Sequence, residues 1–335
     1  MMHGGAYATP LLIRMLKSKS GICRDGYHHR ILWTHPDDCS VWVLAMKTFR
    51  DLSDDYKTSL EYRELRHETK VQYDYHITIL VQHFGRTSLS LIAPLYAKKA
   101  YDKWCERGVS FANHLMSVAR IIFNHGVRME YVSTNPFDKV KKRNTQSRKV
   151  VWTSEDVQQF LSVAYSDFNT RNIGLIAQMA YEWCQRLGDM RLLTWDAIHF
   201  DKMTVHIEQS KRRAEVFLPI SEELCDMLKQ QEEDFGFQEY VAPRPYPIDG
   251  VYKPYSMYKL PKHARKVMDD AGLSSELQLR DLRRTGTTEM VDAGVSIGQI
   301  MSVTGHANPQ SVKPYMKHTY DSANYALTKR RNHGS

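Results

Sequence analysis

From about Thr58 to Val140 apolar residues recur at three- and four-residue steps, as in Phe111, Leu115, Val118 and Ile122. That spacing lays a stripe of side chains along one face of an α-helix. The pattern predicts a bundle of several short helices. Within it Gly85 and Gly126 are placed as helix ends, and Asn135-Pro136 stops the chain from continuing helically past Thr134, because proline disfavours the α conformation in the residue before it. A second helical stretch opens at Thr153-Ser154-Glu155-Asp156. A hydroxyl N-cap and acidic first-turn residues there suit the unpaired amides and the positive dipole end of a helix. One region departs from the helical period: Thr204-Val205-His206-Ile207 and Glu215-Val216-Phe217-Leu218 flank the polar stretch Glu208 to Ala214 and read as a β-hairpin. The fold class predicted is mainly α with a small β-sheet.

These patterns divide the 335 residues into two main domains, in keeping with about 100 to 200 residues for each. Residues 1–57 form an accessory N-terminal segment, interrupted by Gly4, Gly5, Gly21 and Gly26 and ending near the apolar patch Val41 to Met46. Residues 58–138 are the helical bundle, 139–152 a basic linker, and 153–335 a second domain with a C-terminal tail. The linker carries Lys139, Lys141, Lys142, Arg143, Arg148 and Lys149, with no acidic residue between Asp138 and Glu155. Many surface segments have such a composition. Between two domains, however, a cationic strap is suited to follow a phosphate backbone and release its counterions.

Composition adds a preference for a polyanion. Lys and Arg number 46 against 38 Asp and Glu, a formal net charge of +8 with a pI near 9.1. Hydrophobic residues make up 42% and charged residues 25%, which suits a packed fold rather than wholesale disorder. No apolar run approaches the roughly 20 residues that span a bilayer, and the N-terminus lacks a signal-peptide pattern, so a cytoplasmic protein is expected. Cys23, Cys39, Cys105, Cys184 and Cys225 are scattered and odd in number, which fits reduced thiols. Cys23, His28, His29, His35 and Cys39 crowd one polar stretch, but their spacing is not that of a common zinc module. With no phosphate-binding glycine loop or metal motif, neither a metal nor a cofactor is expected.

The residues with chemistry lie in the second domain. Breaking a phosphodiester requires cations on the nonbridging oxygens, a nucleophile on one side and an acid for the departing oxygen on the other. Arg186-Leu187-Gly188-Asp189 places a carboxylate three residues after an arginine, on the same helix face, where it can orient the guanidinium. Lys211 lies in the hairpin turn, an ammonium able to reach a leaving oxygen. Arg280-Asp281-Leu282-Arg283-Arg284 supplies further cations, and Thr304-Gly305-His306 is followed nine residues later by Tyr315.

In this order and spacing the segments resemble the tyrosine recombinase family of the phage-integrase type, over nearly all of Thr153 to Ala326. Residues 66–136, with Phe84-Gly85 and the closing Asn135-Pro136, resemble the family's core-binding domain. The resemblance implies a two-domain DNA clamp that cuts and rejoins duplex DNA through a 3′-phosphotyrosyl link, without metal or nucleotide. It implies that Arg186 and Arg283 clamp the scissile phosphate, His306 donates to it, Lys211 is the general acid, Tyr315 attacks and Asp189 buttresses. Spacing from His306 selects Tyr315 over Tyr320 and Tyr325. Arg280 takes the place of the family's first His and keeps the capacity to bind phosphate, although an arginine is no proton acceptor. Asp189 stands for the usual Glu, Cys184-Gln185 for a Gly and a small or apolar residue, and Thr304 for a Leu. The linker cations with Arg212 and Arg213 are expected to contact DNA. The expected partners are duplex attachment sites, three further protomers in a synaptic tetramer, the tail from Met316 to Ser335 packing on a neighbour, and accessory DNA-bending or directionality proteins. A resolvase of dimers or hairpin telomeres, and a DNA-binding protein that has lost catalysis, are the competing readings; Arg280 is the one feature that favours the latter.

Overall fold

The computed structural model describes residues 47–146, 148–211, 213–316 and 320–332, which fall into two compact units divided between Ser147 and Arg148. The readings made for residues 1–46, for Arg212 and for the side chains of Tyr320 and Tyr325 lie outside the described residues.

The first unit is helical: α1 (Phe49–Thr58), α2 (Leu60–Arg63), α3 (His67–Phe84), α4 (Pro94–Arg107) and α5 (Val109–Arg128). It starts earlier than Thr58, because Phe49, Leu52 and Tyr56 of α1 are buried in the same core as Leu80, Phe84, Leu115 and Ile122. Residues from Phe49 on therefore belong to the bundle and not to the accessory segment. Thr48 starts α1 with a capping box to Asp51. Gly85 does end α3, but Gly126 lies inside α5. A β-carbon there would meet the Leu52 side chain at 3.1 Å, so this glycine serves close helix packing rather than termination. The chain leaves α5 through Glu130 at φ 57°. Asn135 then turns it, accepting from the Phe137 amide at 2.9 Å and donating to the Arg120 carbonyl at 3.0 Å. The first part of the linker packs back on this unit. Lys142 donates to Ser117 at 2.6 Å, the Arg143 amide donates to Tyr101 at 2.7 Å, and the Arg143 side chain reaches Asp102 at 3.3 Å.

In the second unit Thr153 caps α6 (Ser154–Tyr165), as expected, and Asp156 completes a capping box with it. The chain continues through α7 (Phe168–Glu182), α8 (Leu187–Met190), an antiparallel sheet of β1 (Ile198–His199), β2 (Thr204–Glu208) and β3 (Glu215–Pro219), and α9 (Glu222–Phe235). Then follow α10 (Leu260–Asp270), α11 (Leu282–Asp292), α12 (Ile297–Thr304) and α13 (Tyr320–Asn332). The hairpin register pairs Val205 with Leu218 and Ile207 with Val216. These four face the core, while His206 and Phe217 stack at 4.2 Å on the other face. Nearly all of α7 from Arg171 to Ala180 is buried, so it is the central helix around which the site segments assemble. Gly286 lets α11 approach it: a β-carbon there would lie 2.5 Å from the Tyr181 carbonyl oxygen and 2.7 Å from the Cys184 sulfur. The architecture is mainly α with a small sheet, as predicted.

Candidate active site

Arg186 emerges directly from the end of α7. The amide of Cys184 donates to the Tyr181 carbonyl and that of Gln185 to the Ala180 carbonyl, the paired bonds of a glycine-type helix stop. Cys184 accordingly holds φ 51°, a left-handed conformation that glycine adopts freely; a non-glycine residue in it costs on the order of 1 kcal/mol. Burial raises the Cys184 thiol to about 11, so it stays protonated at neutral pH.

Arg186 then donates to the Gln209 carbonyl oxygen at 2.7 Å. Asp189 lies farther off, 3.6 Å from the Arg186 guanidinium, within ion-pair range but too long for a hydrogen bond. The hydrogen bonds of its Oδ1 go to the hairpin turn, from the Ser210 amide at 3.1 Å and the Ser210 hydroxyl at 2.5 Å. The carboxylate thus positions the base of the turn that carries Lys211, while adding only ion-pair attraction to Arg186. Lys211 itself is exposed.

From α11, Arg283 donates to the Thr304 carbonyl at 2.8 Å and meets His306 Nε2 at 3.2 Å. Its Nη1 is buried with no hydrogen-bond partner among the described residues. Burial, and then the charge of Arg186, push the Arg283 guanidinium down to about 10. Two guanidinium groups that repel in a partly dry pocket, one with an unpaired N–H, form a receptor for an anion.

Thr304 does more than fill space. It is buried, and its Oγ1 donates to the Ile300 carbonyl at 2.7 Å and meets His306 Nδ1 at 2.8 Å. A hydroxyl has one proton. With that proton on Ile300, Thr304 accepts from Nδ1–H, and neutral His306 presents Nε2 as an acceptor toward Arg283. Donation from Nε2 to a phosphate therefore requires a second proton on the ring. Tyr315 closes the group, with its ring 6.2 Å from that of His306 and the Arg284 guanidinium 4.9 Å above it.

The sequence-predicted residues fall into two sets. Arg186, Asp189, Lys211, Arg280 and Arg283 line one open cleft of about 340 Å³, which Met257 also lines. His306 and Tyr315 join that set through Arg283 and Arg284. Lys139, Lys141, Lys142, Arg143 and Lys149 are exposed on the linker, and Arg213 pairs with Glu208 at 3.4 Å. Arg148 is different. Its guanidinium grips the buried Asp281 carboxylate at 2.8 Å and also donates to the Glu276 carbonyl. It is thus committed to anchoring the end of the linker on the second unit, because a buried carboxylate needs its cation.

The chain matches the phage integrase family over residues 151–322, more than half of its length, and it belongs to that family. Solved structures agree in fold. A lambda integrase tetramer bound to a Holliday junction matches with TM-score 0.69 at 17% identity, over 82% of this chain and 78% of the other. A lambda integrase dimer bound to a COC′ core site gives 0.68 at 18%, over 81% and 77%. The Tn1549 transposon integrase in complex with a circular intermediate DNA gives 0.69 at 17%, over 84% and 99%. No curated protein matches the chain. Among the described residues no helix is long and apolar enough to cross a membrane.

Proposed function

We propose that this integrase-family protein is a site-specific DNA recombinase that cuts and rejoins duplex DNA through a 3′-phosphotyrosyl intermediate on Tyr315. The observation that carries the reading is that Arg186 and Arg283 line a cationic cleft with an unsatisfied buried donor, with His306 against Arg283 and the Tyr315 ring 6.2 Å from that of His306. Arg186 and Arg283 hold the nonbridging oxygens and stabilise the charge that grows on them during attack. The Tyr315 oxygen bonds to phosphorus as the bond to the 5′ oxygen breaks. Lys211 protonates that oxygen, and the phenolic proton passes to His306 Nε2, water or a phosphate oxygen, since Arg280 is no acceptor. The phosphotyrosyl link conserves the energy of the broken bond, so rejoining needs neither nucleotide nor metal.

The DNA-bound dimer and tetramer of lambda integrase support duplex attachment sites and a homotetrameric synapse as partners here. Lys139, Lys141, Lys142, Arg143 and Lys149, with Arg212 and Arg213 at the hairpin, are the proposed phosphate contacts outside the cleft. The test is a suicide substrate nicked beside the cleavage site, with peptide mapping of the trapped adduct. Tyr315→Phe removes only the phenolic oxygen, so covalent attachment is expected to vanish while specific binding survives. An adduct persisting in this variant, or mapping to Tyr320 or Tyr325, overturns the nucleophile. No adduct from the unmodified protein on its own site favours the DNA-binding protein without catalysis.

A further inference from the structure

We infer that Gln209, at the β2 end of the hairpin, is a positioning residue that locks Arg186 and Arg283 into one phosphate-binding unit. This rests on the role proposed for the two arginines. The Gln209 side chain is completely buried, unusual for an amide beside an exposed turn, and every bond it makes goes to a different part of the site. Its carbonyl oxygen accepts from Arg186 at 2.7 Å. Its amide nitrogen donates to Gln185 Oε1 at 2.7 Å and to the Thr304 carbonyl at 2.8 Å. Gln185 in turn donates to the Trp183 and Val303 carbonyls at 2.8 and 2.7 Å.

The Thr304 carbonyl is the shared point, since it also accepts from Arg283 at 2.8 Å. One oxygen therefore fixes Gln209, which holds Arg186, and Arg283 itself. A carbonyl has two lone pairs, and both are used. The chain makes room for this amide at Gly305: it ends α12 at φ 67°, and a β-carbon there would collide with the Gln209 amide. The glycine of the Thr304-Gly305-His306 segment thus has two reasons to be glycine, its backbone conformation and the amide lying across it.

The arrangement is suited to positioning. Arg186 carries five donors on a long side chain, and Asp189 at 3.6 Å is too far to fix its orientation by hydrogen bonding. Gln209 fixes it with a neutral acceptor, leaving the positive charge for the phosphate rather than cancelling it as a carboxylate at that distance would. Displacing a reacting group by about 1 Å costs on the order of a hundredfold in rate.

The test uses the full chain and the nicked suicide substrate, with Gln209→Met, similar in size but without the amide, and Gln209→Asn, which keeps the amide but is too short to span the gap. Thermal melting and duplex binding identify which variants hold the fold. The expected result for a folded variant is a loss of about 10- to 100-fold in the rate of adduct formation, with duplex affinity unchanged. Combining the same change with Arg186→Lys separates positioning from general support: if Gln209 acts through Arg186, its loss has little further effect once the guanidinium is gone. Losses that multiply in the double variant, or a folded single variant as fast as the unmodified protein, overturn the positioning role. Should Arg186→Lys alone react at the normal rate, the phosphate-binding role of Arg186 fails first, and that outcome is read independently of Gln209.

Discussion

The two sides of the cleft are built in opposite ways. Arg186 and Arg283 are partly buried and held through Gln209 and the Thr304 carbonyl by bonds of 2.7 to 2.8 Å, so their geometry is set before a ligand arrives. Lys211 stands exposed in the hairpin turn, next to Ser210, whose amide and hydroxyl donate to Asp189. A group that stabilises growing charge gains from being preorganised, because reorganisation would otherwise oppose the transition state. A general acid has to follow the leaving oxygen, and a lysine on a turn has the rotatable bonds to do so. On the proposed mechanism the preorganised arginine pair is the phosphate clamp and the exposed Lys211 the adjustable acid.

The largest effect expected from breaking this contrast is on the acid side. Lys211→Ala should slow cleavage of ordinary DNA by about 10²- to 10⁴-fold, yet restore most of the rate on a substrate with a 5′-bridging sulfur, whose thiolate leaves without a proton. Equal losses on both substrates remove Lys211 from the role. The melting temperature should not change, since the Lys211 side chain is exposed.

On the clamp side, Arg283→Met should slow cleavage by about 10²- to 10³-fold, with no rescue by sulfur, because the lost interaction is to the nonbridging oxygens. Stability should report the same difference. The folded Arg283 guanidinium sits near 10, below its ordinary range, so being charged opposes folding. That penalty is fully present at neutral pH and is relieved only as pH rises through about 10. Inorganic sulfate or phosphate should offset it at neutral pH, raising the melting temperature of the unmodified protein by about 2–4 °C per kcal/mol of binding. The shift should persist in Lys211→Ala and be lost in Arg283→Met. An equal shift in both variants means that the anion binds elsewhere.

The smallest effect concerns cations outside the cleft. Replacing Lys141, Lys142 and Arg143 by Ala should weaken binding to all duplexes alike and flatten the slope of log affinity against log salt by roughly 0.9 for each phosphate contact removed. Lys142 and Arg143 also touch Ser117 and Asp102, but these contacts are solvent-exposed and contribute little to stability. An unchanged slope removes the strap from the DNA interface.

Much of the site was legible because its chemistry depends on residue type and order. An arginine with a carboxylate three positions on, a lysine between two alternating strands, and a histidine with a tyrosine nine residues later are visible without coordinates. The parts that hold them were not. Gln209 and Ser210 read as part of a polar stretch, Thr304 as a stand-in for a Leu, and Arg148 as one more linker cation. No local signal marks Gln209, since its partners Gln185 and Thr304 lie 24 and 95 positions away, and Arg148 meets Asp281 across 133.

By itself the sequence determined the mainly helical class, the capped start of α6, the hairpin and the order of reactive residues, because caps, periodicity and spacing act within a few residues of the chain. Only the tertiary structure decided that α1 belongs to the first core and that Gly126 packs rather than terminates. It also decided that His306 meets both Thr304 and Arg283, and where the Asp189 carboxylate places its hydrogen bonds. Each of these depends on which distant surface a side chain is buried against. A buried polar group must find a partner wherever the fold provides one, and that choice is made by packing rather than by neighbours in sequence.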